Sequence, residues 1–214
     1  MTVFTIIMNI FYLDYDTDLC AEYHVDKHVV KMILEYAQLL STAHRILDGT
    51  TSISRSKTGR KQTRYVLPDA REHILYSATH ANHPSAVWCR ESNSNYIWLA
   101  ELLEECCNEY TYRYGKTHKV ESSGLMQALK NNIPKNIPNK PFTEPTPAMP
   151  DECKVPGDSL RSYRNYYFQN KKHLWSWSGK INSRKMPVWL SDKIMYDNAI
   201  KKRELNNHGK ETSI

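Results

Sequence analysis

The stretch from Asp18 to Gly49, DLCAEYHVDKHVVKMILEYAQLLSTAHRILDG, constrains the fold of this chain more than any other. It holds no proline and no glycine before Gly49, and its apolar residues recur at helical spacing. At about 1.5 Å per residue, one helix of this length would run about 45 Å and cross a whole domain. Asp14, Asp16 and Asp18 crowd its N-terminal end and Gly49 follows its last turn, as the helix dipole and C-terminal capping favour. A helical wheel places Val25, Val29, Val30, Ile33, Tyr36, Ala37, Leu40 and Leu47 on the core side. Lys27, Lys31, Glu35, Gln38 and Arg45 fall on the opposite side.

Three ionisable residues sit inside the apolar stripe. Glu22 and Asp26 lie one turn apart, and His44 lies five turns beyond Asp26 in nearly the same direction. Burying charge is costly unless the group is paired or put to use. Two readings are open: a structural ion pair, or a polar floor to a site.

The rest of the chain supports a mainly α domain with a short N-terminal strand, a Pro-rich strap and a C-terminal basic-aromatic helix. The opening MTVFTIIMNIFYL is too short to span a bilayer, lacks the pattern of a signal peptide, and reads as a buried strand. Residues 50–64 read as a mobile basic loop, with Arg55, Lys57, Arg60, Lys61 and Arg64 and no acid, which is either simply solvated or tracks the phosphates of nucleic acid. A short helix, PDAREHILYSATH, is expected to turn Ile74, Leu75 and Ala78 inward. Pro84 then opens a further helical stretch to Tyr114, with a break near Asn93–Asn95 and Gly115 as its stop. Another short helix is expected at Ser123–Asn131. Residues 133–157 hold seven of the ten prolines, which excludes a regular helix or central strand. The organisation expected is one helical domain over 1–190, with 133–157 as its extended strap, and a polar helix or tail over 191–214.

The strongest functional signal is Ser159–Leu190. These 32 residues contain no acid and carry Arg161, Arg164, Lys171, Lys172, Lys180, Arg184 and Lys185, interleaved with Tyr, Phe and Trp. Cations attract phosphate regardless of sequence, and aromatic faces stack on exposed bases. A helix over 158–177 would place Arg161, Arg164, Phe168, Lys172 and Trp175 on one side, with Leu160, Tyr163, Tyr167 and Leu174 on the other. One side can seat on the body while the other meets nucleic acid. The net charge of +6 has the sign this requires.

Other candidates are weaker in pattern. His80 and His83, with Lys116 and His118, could contact phosphate or line the mouth of a site. They lack the spacing of a metal motif, so no metal and no cofactor is expected. Gly115-Lys116-Thr117 is not a phosphate-binding loop, because the glycine required five residues earlier is Tyr110. Five cysteines without C-x-x-C spacing argue for a reducing, cytoplasmic setting, the host cytoplasm for a viral protein. Thr2 would offer a partly unprotonated α-amine after removal of Met1.

Short motifs also resemble a family. Ala21-Glu22-Tyr23, the His83-Pro84 pair opening a helix, the acidic-aromatic helix ending near Gly115 and the basic C-terminal region look like phage-encoded pyrimidine dimer DNA glycosylases. NIFYLD, EYHVDKHVVKMILE, NHPSAVW and EYTYRYGKTH resemble, over most of residues 8–190, a set of phage proteins without an established activity. The glycosylase resemblance implies an all-helical enzyme that bends DNA and flips a base. An N-terminal Thr amine would attack the sugar and a glutamate would stabilise the developing charge. Where that family's motif has its second glutamate, this chain has Val25, and Asp26 follows one residue later. The leading expectation is therefore a DNA-processing enzyme, glycosylase- or lyase-like, with Glu22, Asp26, His44 and Thr2 as catalytic candidates. A non-catalytic nucleic-acid-binding protein is the first alternative and a metal-dependent nuclease or hydrolase the second. The partner under the leading reading is DNA, with no membrane.

Overall fold

The structure, a computed structural model, describes residues 8–55, 58–59 and 61–211, with the side chains of the last helix described through Lys202. It is mainly α-helical, as expected. The long N-terminal stretch is not one rod: α1 spans Thr17–Tyr23 and α2 spans Asp26–Asp48, with His24 and Val25 extended between them. Asp16 caps α1 with its side chain, accepting from the amides of Asp18 and Leu19.

The cause of the break lies far along the chain. The buried Arg113 guanidinium donates from Nη2 to the Glu22 carbonyl (2.8 Å) and from Nη1 to the His24 carbonyl (2.9 Å), while the Asp26 amide donates to the Ser176 carbonyl (2.8 Å). Groups that would have continued the helical ladder are satisfied elsewhere instead.

α2 is the central element and packs against α4, α5 and α7. Val25, Val29, Ile33, Tyr36, Ala37 and Leu40 are fully buried, as the wheel expects. Three positions depart from it. Val30 is exposed, while Glu35 and Arg45 are buried. Lys31 pairs with Glu35 one turn on (2.8 Å). Arg45 is enclosed by the segment after the hairpin, donating to the carbonyls of Tyr65, Glu72, Leu75 and Tyr76 and to the Glu72 carboxylate.

That enclosure also corrects the next segment. Only α3, Arg71–Ile74, is helical there, because carbonyls around it turn toward Arg45. Leu75 is buried as expected, but Ile74 is exposed. The segment expected as a loop holds two paired strands: β1, Thr50–Arg55, pairs antiparallel with β2, Lys61–Val66, in register from Thr50↔Val66 to Arg55↔Lys61.

α4 spans Pro84–Glu91 with proline in its first turn, and the His83 ring caps it by accepting from the Ser85 amide (3.2 Å). Ser92 ends α4 and caps α5, Asn93–Tyr114, so the break falls just before the position expected. Gly115 stops α5 in the left-handed region at φ 62°, and a Cβ there would lie 2.6 Å from the Ile181 side chain. The helix expected at 123–131 is α7, Leu125–Asn131, which starts two residues later, and a further short helix, α6 (Lys119–Ser122), precedes it.

The Pro-rich segment drapes over the body. It gives carbonyls to the Asn93 amide (from Pro138), the Ser92 hydroxyl (from Lys140) and the Trp88 indole (from Thr143). α8 spans Ser159–Asn170, capped by Asp158, and a 3-10 turn over Lys172–Leu174 follows it. The helix thus ends seven residues earlier than expected. α9 spans Val188–Glu211 and is largely exposed where its side chains are described. Residues 8–13 are buried but irregular, so the described part of the opening apolar segment forms no strand. No helix among the described residues is long and apolar enough to cross a membrane.

Candidate functional site

Asp26 opens α2 at the break and is held by a ring of donors. Its Oδ1 accepts from Arg113 Nη1 (2.9 Å), and its Oδ2 accepts from Ser176 Oγ (2.6 Å), Ser178 N (3.0 Å) and Gly179 N (3.3 Å). Burial raises its pKa, but the Ser176 hydroxyl, Arg113 and the Gly179 amide outweigh burial and hold it below its ordinary value. Asp26 is thus an acceptor tied by several donors to the loop over Ser176–Gly179.

Arg113 joins Asp26 to two more carboxylates. Its Nε donates to Glu109 Oε1 (2.5 Å) one turn earlier on α5. Glu109 is buried and also accepts from Arg184 Nε and Nη2, while Arg184 Nη1 pairs with Glu22 Oε1 (2.8 Å). The Arg184 guanidinium lies over the Tyr112 ring at 4.1 Å. The result is one chain of five charges: Glu22, Arg184, Glu109, Arg113 and Asp26. Sequence reasoning missed its centre, though a signal existed. Arg113 lies seven residues after Cys106 and fourteen after Leu99, on the same buried stripe of α5.

Glu22 is the carboxylate of the network that meets solvent most. It lines a groove of about 390 Å³ with Leu19, Tyr23, Tyr112, Arg184, Lys185 and Met186. Burial raises its pKa above the ordinary value, against the pull of Arg184.

His44 belongs elsewhere. Its Nε2 bonds to the Tyr96 hydroxyl (2.8 Å), and its Nδ1 faces Arg71 Nη1 (2.9 Å). A guanidinium can only donate, so Nδ1 is the acceptor and His44 is the neutral Nε2–H tautomer. Burial, then Arg71, lowers its pKa to about 4. Arg71 is itself held by Asp48 and Asp69. His44 lines a second groove of about 390 Å³, with Asp69, Arg71, Ile74, Leu75 and Lys135. Among the described residues, Glu22 and His44 line separate grooves and Asp26 is taken up in the ion-pair network, in place of the expected common polar floor. The stripe they share on one wheel is interrupted by the break at His24–Val25.

The expected mouth residues serve as caps and surface groups. His80 is exposed, with its Nδ1 against the Thr79 hydroxyl. His83 caps α4, and His118 caps α6 by accepting from the Val120 amide (3.1 Å). Burial lowers the pKa of both His83 and His118. Lys116 is exposed. Thr2, Lys57 and Arg60 lie outside the described residues. Among the described residues no group of three His, Cys, Asp or Glu side chains is placed to hold a metal. All five cysteines are free and buried, and burial raises the Cys20 thiol to about 12.

The basic-aromatic region does gather on one face. Tyr163 and Tyr167 are fully buried beneath it, packed with Phe11. Tyr167 meets His28 Nδ1 through its hydroxyl. Above them, cations sit over rings: Lys171 over Tyr166 (4.5 Å), Lys172 over Trp175 (5.9 Å), Lys193 over Phe168 (4.9 Å) and Arg164 over Trp189 (5.1 Å). Phe168 and Trp175 are half-buried neighbours with ring centroids 6.1 Å apart. The 3-10 turn, rather than a continuous helix, brings Lys172 and Trp175 to Phe168. Arg161 is exposed on the same helix. Arg164 is turned inward, donating to the Leu13 carbonyl (2.9 Å) and to Asp14 (3.0 Å), and so departs from the expected outward row.

The chain matches no protein-family model, and neither the curated proteins nor the solved structures give a match.

Proposed function

We propose that this protein binds nucleic acid on the face built by the end of α8, the turn after it and the start of α9. The observation that carries the reading is the set of cation–ring pairs there, above all Lys172 with Trp175 and Lys193 with Phe168. Half-exposed rings offer stacking surfaces to unpaired bases, and a lysine beside each ring offers a partner to the adjoining phosphate. Residues 159–190 hold no acid, so the α8 and turn part of this face is purely cationic, while the start of α9 adds Asp192 and Asp197 beside Lys193.

The direct test is fluorescence anisotropy with labelled single-stranded oligonucleotides across a salt series. Trp175→Ala and Phe168→Ala should each weaken binding about 5- to 150-fold, the effect of losing one stacked base at about 1–3 kcal/mol. Lys172→Gln should flatten the salt dependence. Wild-type affinity in all three variants would refute the reading.

A second reading, DNA processing of the glycosylase or lyase type, is favoured by Glu22 alone. It is a carboxylate with a raised pKa facing a groove that also presents Arg184 and Lys185. Incubation with abasic or ultraviolet-irradiated oligonucleotide and borohydride tests it. A covalent adduct marks an amine lyase, and cleavage that is lost in Glu22→Gln marks a catalytic carboxylate. Tight, salt-sensitive binding with neither adduct nor cleavage leaves the binding role alone.

A further inference from the structure

The β1–β2 hairpin takes no part in the stacking face. It follows the C-terminus of α2, whereas α8 packs at the N-terminal end of α2, where Tyr167 meets His28. The two are separated by the length of α2, 23 residues, about 35 Å at helical rise.

Among the described residues, the hairpin's hydrogen bonds to the body lie at its root, and β2 borders a groove with Glu72, Ser77 and Ala78. Arg45 Nη1 donates to the Tyr65 carbonyl (2.9 Å), the Leu67 amide donates to Glu72 (2.8 Å), and Leu67 is buried. Nine of the hairpin's twelve strand residues are exposed. Six residues per strand make a ribbon about 20 Å long with strands about 4.8 Å apart. Residues 50–66 contain no acid, and Arg55, Lys61 and Arg64 are exposed without an ion pair among the described residues.

Register divides the ribbon into two faces. One carries Thr51, Ile53 and Arg55 opposite Tyr65, Thr63 and Lys61. Ile53 at its centre is 79% exposed, a large apolar side chain held out in water on the two-stranded ribbon. The hairpin has no structural need for it there. A two-stranded ribbon fits the major groove of B-form DNA, about 12 Å wide, where methyl groups can meet thymine and flanking cations can meet phosphate. The major groove of A-form RNA is too deep and narrow to admit it.

We propose that the β1–β2 hairpin is a second nucleic-acid contact, specific for double-stranded DNA. It enters the major groove with Ile53 and Thr63 toward the base edges and Arg55 and Lys61 on the flanking phosphates. This rests on the nucleic-acid-binding reading above and extends it from single strands to duplex.

The test compares duplex DNA, duplex RNA and single-stranded DNA for the full chain across a salt series. The double variant Arg55→Gln, Lys61→Gln should lower the slope of log affinity against log salt on duplex DNA by about 1.8, or about 0.9 for each phosphate no longer neutralised. Ile53→Ser should weaken duplex-DNA binding at unchanged slope. Both should keep wild-type binding to single strands and an unchanged melting temperature, because all three positions are exposed. Wild-type duplex binding in both variants overturns the hairpin contact while the stacking face stands. Equal losses on duplex RNA overturn the groove assignment. If Ile53→Ser alters only self-association in sedimentation, the ribbon is an edge between copies and the proposal falls. Wild-type protein that binds none of the three removes this proposal together with the reading beneath it.

Discussion

Replacing Arg113 by methionine tests the central claim about how this chain is held together. The guanidinium is fully buried and makes four directed bonds: to Glu109, to Asp26, and to the carbonyls of Glu22 and His24. Methionine keeps much of the stem and removes all four. Hydrogen bonds to charged groups contribute roughly 1.5–3 kcal/mol each, which alone would sum to about 6–12 kcal/mol. Much of that is recoverable. Asp26 retains donors from Ser176, Ser178 and Gly179, and Glu109 retains Arg184. The two backbone carbonyls lose their side-chain donor, and the network keeps three carboxylates on one cation. Breaking a buried pair from one side costs about 3–5 kcal/mol, and we expect that range here. In a chain of this size it corresponds to a melting temperature lower by about 6–20 °C.

Urea unfolding followed by circular dichroism measures the loss, and hydrogen exchange locates it. The amides of α1 and of the first turn of α2 should lose protection before those of α5. Arg113→Lys should fall in the same direction, because an ammonium cannot reach four acceptors in a planar fork. Glu109→Gln in the Arg113→Met background should recover part of the loss by removing one uncompensated buried charge. A loss below about 1 kcal/mol, with α1 protection unchanged, would refute the account.

Stability should fall between pH 7 and pH 5, through the buried neutral histidines. His24 donates from Nδ1 to the Cys20 carbonyl and meets Tyr36 at Nε2, and burial lowers its pKa to about 4, the same value as His44. Between 6.5 and 4 the unfolded chain takes up protons that the folded chain refuses, so stability declines with pH across that window, by on the order of 2 kcal/mol per histidine at pH 5. Equal urea midpoints at pH 5 and 7 would contradict this. Gly179→Ala should destabilise by about 2 kcal/mol or more. Its φ is +57°, a Cβ would lie 2.1 Å from the Asn182 carbonyl, and its amide is one of the Asp26 donors. Thermal melts check it, and an unchanged midpoint would mean the loop repacks freely. EDTA should leave melting temperature and oligonucleotide affinity unchanged, and a drop in either would revive the metal-dependent alternative.

The local grammar of the chain was legible in its sequence where residues act on their own neighbours. Pro84 opens α4, Gly115 closes α5, the prolines of 133–157 leave an extended strap with one 3-10 turn at Asp151–Cys153 and no α-helix or strand, and the apolar period of α2 marks Ile33, Tyr36 and Leu40 for burial. Tyr163 and Tyr167 were likewise assigned inward by spacing alone. These features follow from φ restriction, lost amides and side-chain periodicity, which need no partner distant in sequence.

What tertiary structure decided was the fate of the charges. Arg45 stands on the polar side of its wheel, and Arg113 falls on the buried stripe of α5, where its own helix supplies only Glu109 to match its donors. Each is enclosed because a remote segment brings backbone carbonyls to it: 65–76 for Arg45, and 22–24 for Arg113. A guanidinium has five donors and tolerates burial only when they are matched. The carbonyls that match them are then withdrawn from helical ladders, which shortens α3 and divides the long stretch at His24–Val25. That division carries Asp26 into an ion-pair network and leaves His44 beside Arg71. A wheel drawn on residues 18–49 presumes one continuous axis. The long-range bonds of Arg113 remove that axis.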